Sequence, residues 1–260
     1  MKSFLKSALF DMSSRWTLLR PAQTTISSPT ITRVLLAAAL LTVAVIATPP
    51  VLAQEQPPRI TIVDENTVLP DYSAYEQGLD ALYAGDYDTA LREFRIAAAA
   101  GLELAQYNLG VMYYTGEGVE QDYQQAAQWL TQAAELGHLR SQFNLATMYY
   151  NGLGVTSPLM RVWPLSLLSR NQNRRQAARW YEQAAEYEHG EAQYNLATMY
   201  EAGEGVAQDP VTAYRWARLA RDNEVADAAA LVTRLEASLS PAQLNQAQTD
   251  YAQWVLEFRG

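Results

Sequence analysis

AQYNLGVMYYTGEGVEQDYQQAAQWLTQAAELGH, residues 105–138, decides the fold because the chain repeats it. Its opening returns as SQFNLATMYYNGLGV at 141–155 and as AQYNLATMYEAGEGV at 192–206. Its second half returns as AARWYEQAAEYEH at 177–189 and, more weakly, as AYRWARLARDNEV at 213–225. Gln106 and Gln142 lie 36 residues apart, while Gln142 and Gln193 lie 51 apart, 15 more than one period. A period of this length signals stacked supersecondary units, each too small to bury its apolar face alone.

Each unit reads as two antiparallel helices. In the first, Leu109, Met112 and Tyr113 share one face at i, i+3, i+4 spacing, as do Leu145, Met148 and Tyr149. Gly110, Ala146 and Ala197 keep one position small, where a neighbouring helix could approach. The helix ends at the pairs Gly116/Gly118, Gly152/Gly154 and Gly203/Gly205, since glycine tolerates the positive φ of a helix stop. The second helix starts at Asp122 or Asp209, a side-chain cap, with Pro210 suited to a first helical position. Trp129, Trp180 and Trp216 recur at one place in its expected buried stripe.

These residues predict an all-α chain: a right-handed α-solenoid of antiparallel helix pairs. Residues 72–104 form a degenerate first repeat, 105–140 a full one, 141–191 a repeat with an insertion near 157–171, and 192–226 another. Residues 227–260 read as C-terminal capping helices, the last opened by Ser240-Pro241. The combination of GxGV, capping Asp, Trp and AA…GH closely resembles the unit of the Sel-one-like repeat family, cousins of the tetratricopeptide repeats, over roughly residues 72–230. That resemblance implies a solenoid used for protein–protein contacts, often in exported or envelope proteins of bacteria. The chain departs from the family pattern where the unit at 141–191 loses the capping Asp and carries Glu188 in place of the glycine seen at Gly137.

Ahead of the repeats, Lys2, Lys6, Arg15, Arg20 and Arg33 precede an apolar run at 34–47, followed by small residues before Gln54. We expect residues 1–53 to be a signal peptide, or alternatively an inner-membrane anchor, with Met1 or Met12 as start, and 54–71 to be an extended spacer. The expected location is therefore the periplasm. With no cysteine in the chain, an exported domain must hold together by packing alone.

Without residues 1–53 the chain carries 14 arginines, no lysine and 27 acidic residues, a net charge of −13. Such a balance disfavours nucleic acid as a partner. The charge is segregated: residues 136–181 contain six arginines and no acid.

Catalytic readings fail by repeat logic. The two histidines, His138 and His189, occupy one repeat position and read as architecture near a helix end, and no His/Cys cluster suggests a metal or cofactor. We expect no enzyme. For binding, Asn108, Asn144 and Asn195 recur on the first helices, with Met112, Met148 and Met199 four residues on. Either these amides ladder along an extended peptide, or they bond between units and hold the stack.

The second candidate surface is the insertion, TSPLMRVWPLSLLSRNQNRR at 156–175, with Trp163 as anchor and Arg161, Arg170, Arg174 and Arg175 as a basic rim. Pro158 and Pro164 argue against one continuous helix there. It packs back on the solenoid, docks a partner or membrane, or is tolerated without function. The expected function is an envelope scaffold binding another protein. A cell-wall or polysaccharide binder is the alternative, and a hydrolase the distant one.

Overall fold

The structure, a computed structural model, describes residues 72–155 and 165–259, except for the side chains of 165–167. They belong to the compact unit Leu69–Gly260. The expected leader (1–53) and the whole of the spacer (54–71) lie outside the described residues, as do Arg161 and Trp163.

Among the described residues there are ten α-helices and no strand: α1 (Ser73–Ala84), α2 (Tyr87–Ala99), α3 (Glu103–Thr115), α4 (Tyr123–Glu135), α5 (Leu139–Asn151), α6 (Leu165–Glu186), α7 (Gly190–Ala202), α8 (Pro210–Asp222), α9 (Ala228–Ser238) and α10 (Pro241–Arg259). From α1 to α9 each helix packs against its neighbour in sequence, and α10 packs against α8. This is a solenoid of helix pairs, in which contacts run from each unit to the next.

Local chemistry sets the helix ends. Gly85, Gly116, Gly152 and Gly203 take left-handed backbone after α1, α3, α5 and α7. Asp122 accepts from the amides of Gln124 and Gln125 at the start of α4, and Asp209 does the same for Val211 and Thr212 at α8. Asp86 caps α2 through Thr89. At α10 the cap is reciprocal: Ser240 Oγ faces the Gln243 amide, and Gln243 Oε1 accepts from the Ser240 amide at 3.1 Å.

The second glycine of each GxG turn serves a different purpose. A Cβ on Gly118 would collide with Tyr87, one on Gly154 with the backbone of Tyr123, and one on Gly205 with the backbone of Arg174. Those three residues occupy the same place at the start of the preceding unit's second helical segment. The turn is thus also the seam where one unit is pressed against the last.

Two expectations need correction. The insertion is not wholly a loop: α6 begins directly after Pro164 and runs for 22 residues into the repeat's second helix. Asn173 stands where Asp122 stops and caps α4, so no cap starts the helix there, and residues 165–175 hold neither Gly nor Pro to interrupt it. The recurring tryptophans are also not equally buried. Trp216 is 2% exposed, with Trp254 of α10 edge-on at 6.3 Å, whereas Trp129 and Trp180 are half-buried.

Candidate interaction surface

The first-helix candidates are largely taken up by the fold. Met112, Met148 and Met199 are 3%, 0% and 2% exposed and fill the apolar core, so they present nothing to a partner. A 3.6-residue period identifies an apolar face but not whether the next unit covers it. Asn108 is buried and its Nδ2 lies 3.5 Å from the Tyr75 hydroxyl of the preceding unit. Asn195 bonds the buried Tyr181 hydroxyl, also of the preceding unit, and that hydroxyl lies 2.9 Å from Thr147 Oγ1. Asn144 is buried as well. Two of the three amides therefore bond between units, as the architectural reading of the repeat expects.

A stronger seam went unassigned in the sequence. Gln106, Gln142 and Gln193 are buried, and each Nε2 donates to a carbonyl near the end of the preceding unit's second helix: Ala98 at 3.3 Å, Ala134 at 3.2 Å and Ala185 at 3.0 Å. Each of these late carbonyls also accepts a turn amide, from Gly101, Gly137 or Glu188, so the glutamine adds a second donor at the same place once per unit. The signal was present as a glutamine that recurs at one position in all three matched units.

The histidines are caps. His138 Nδ1 accepts from the Ser141 amide at 3.3 Å, and His189 Nδ1 from the Ala192 amide at 3.3 Å. Their rings pack on first-helix aromatics of their own units, Tyr107 at 4.7 Å and Phe143 at 4.5 Å, while their side chains cap the first helix of the next unit. Burial holds the His138 imidazole below its ordinary pKa, with Glu103 opposing and Arg140 assisting. No group of three or more His, Asp or Glu is placed to hold a metal ion among the described residues.

Of the insertion's arginines, Arg174 is engaged. It pairs with Glu204 at 2.7 Å and lies over the Tyr150 ring at 5.2 Å, while the Tyr150 hydroxyl donates to Glu204 at 2.6 Å. It therefore belongs to the seam, as Tyr87 does in donating to Glu117 at 2.9 Å. Arg170 and Arg175 are exposed and make no ion pair among the described residues. Leu168, one helical turn before Asn171 and Gln172, is 64% exposed. The first turns of α6 thus carry an apolar and basic surface that the other units lack. A separate open cleft of about 1080 Å³ lies among Arg95, Tyr113, Gln121, Tyr123 and Leu153; no sequence expectation covered it.

Comparison with known proteins places this architecture. The Sel1 repeat model matches residues 104–138, 139–158, 168–186 and 190–224, leaving out the middle of the insertion. No curated protein matches the chain. The crystal structure of a Sel1 repeat protein from Oxalobacter formigenes is similar over 72% of this chain and 74% of that one, at 22% identity and a TM-score of 0.54, which shows a shared fold. A protective antigen present in uropathogenic Escherichia coli strains, displaying an SLR fold, aligns over 72% of this chain and 47% of its own, at 25% identity and a TM-score of 0.40. The Sel1 repeat generally serves as a non-catalytic scaffold for protein interaction. Four consecutive matches on a stack of capped helix pairs mean that residues 104–224 are built of Sel1 repeats.

Proposed function

We propose that this chain is an exported, non-enzymatic scaffold of the cell envelope that docks a protein partner on the first turns of α6. The observation that carries this reading is the surface of residues 168–172. The exposed Leu168 and Arg170 stand on a helical extension outside the repeat pattern, within a stretch free of acids in an otherwise acidic chain. An apolar anchor beside unpaired guanidinium groups suits a partner with an apolar pocket and an acidic rim. The arginines at 170 and 175, together with the expected leader, keep membrane contact as a second outcome.

The test is capture from envelope extract by the full chain and by Leu168→Asp/Arg170→Glu. Both substitutions lie on exposed positions and leave far-UV helicity unchanged. The proposal expects a protein band retained by the parent and lost from the variant. Retention on purified cell-wall polymer, with no protein recovered, overturns it in favour of polysaccharide binding; equal binding of both chains to anionic vesicles also overturns it.

A further inference from the structure

Beyond the extension, α6 carries a second surface. Arg175, Arg179, Glu182 and Glu186 are spaced by four, three and four residues, which puts them in one stripe along the helix, and all four are exposed. The stripe is positive in its first half and negative in its second. Within a half, like charges sit at i, i+4, an arrangement that weakens an isolated helix. None of the four makes an ion pair among the described residues. The carboxyl groups of Glu182 and Glu186 are partly desolvated although the residues as a whole are exposed. That burial pushes both above the ordinary carboxylate range, Glu182's charge adds to the effect at Glu186, and Arg215 of α8 opposes it at both.

We infer that α6 is a self-complementary docking surface through which two copies of this chain associate, antiparallel, about a two-fold axis between Arg179 and Glu182. Turning a copy end for end about that axis brings Arg179 opposite Glu182 of the second copy and Arg175 opposite Glu186. Each contact occurs twice by symmetry, so four opposite-charge pairs form across the axis and offset the like-charge repulsion that remains within each helix. The stripe favours a second copy over an unrelated protein because the occupant must carry the same charges in reverse order at the same spacing. This chain does so by construction. Tyr187, exposed beside Glu186, adds apolar area that charge pairs alone lack.

The experiment is sedimentation velocity on the full chain from roughly 1 to 100 µM, at low and at 0.5 M salt. Two charge-swapped variants accompany it, Arg175→Glu/Arg179→Glu and Glu182→Arg/Glu186→Arg. The parent is expected to dimerise more strongly at low salt, and each variant alone to lose affinity by about tenfold or more. An equimolar mixture of the two variants is expected to recover the dimer, because an all-acidic stripe then meets an all-basic one. A monomeric parent throughout, or variants that dimerise as the parent does, overturns the proposal. Because the chain has no cysteine, a milder check is available if a charge-swapped helix unfolds. Mixed Arg179→Cys and Glu182→Cys chains should form the mixed disulfide in preference to either homodimeric one, and equal yields of all three would count against the axis.

Discussion

At the scale of single residues, one residue type does different jobs at neighbouring positions, and substitution separates them. Gly137 and Gly154 both have positive φ, but a Cβ on Gly137 would meet nothing within 4 Å, whereas one on Gly154 would overlap the Tyr123 backbone of the preceding unit. Gly137→Ala should therefore cost only the left-handed strain, about 1–2 kcal/mol. Gly154→Ala adds an overlap that only displacement of a whole unit relieves, and should cost about 3 kcal/mol or more. Urea midpoints for the two variants check the order; equal losses would mean the GxG turn is not a seam. His138 gives a pH prediction. Its folded pKa is depressed by burial, with Glu103 and Arg140 as the charged neighbours, so its contribution is fully present above the ordinary value of 6.5. It is lost as pH falls through the folded value, because a protonated ring no longer accepts from the Ser141 amide and adds a positive charge at a helix start. Stability measured at pH 7.5 and pH 5.5 should fall in the parent and fall less in His138→Asn, which keeps a cap acceptor without a titrating group.

Among the helices, what could be read from residues depended on whether the signal was local. Helix stops at Gly116, Gly152 and Gly203 and starts at Asp122 and Asp209 were legible because capping is settled within three residues. The buried state of Met112 and Met148 was not, since it depends on a helix tens of residues away. The start of α6 was hidden for a related reason: the missing cap at Asn173 was visible, but what an uncapped helix does next depends on the composition upstream. The proposed docking role of that upstream stretch predicts that deleting 157–171 leaves unfolding cooperative and lowers far-UV helicity by no more than about two turns' worth. Ser169 is buried and is removed with it, so a modest loss in midpoint is expected. A collapse of melting would show that the extension is part of the core, and would remove the reason to regard its surface as available to a partner.

On the scale of the molecule, a solenoid's stability is a sum of units and seams, so its ends matter more than in a globular domain. The C-terminal end is closed by α10, which lays Trp254 against Trp216 and Tyr251 against Asp222 and the Arg218 guanidinium, rather than pairing with α9 as a fifth repeat would. Arg259 at its end reaches Glu188 and Asn223, tying it to the connection after α6. Glu188 holds a positive φ where Gly137 stands in the earlier unit, so this ion pair sits on a strained link. Removing residues 240–260 would expose Trp216 and the buried Tyr214, at a cost on the order of 3–5 kcal/mol concentrated in the last unit. The dimer stripe on α6 and the extension before it lie upstream of the cut, so self-association and partner capture should both persist if the two proposals hold. Two copies joined on α6 would also carry two docking extensions, making the pair bivalent toward a repeated partner. Hydrogen exchange tests the energetic claim directly: amides of α8 and α9 should lose protection in the truncated chain while those of α4 and α5 keep theirs. Uniform loss across all units would mean that the stack unfolds as one block, and that α10 stabilises the whole chain and not its last repeat alone.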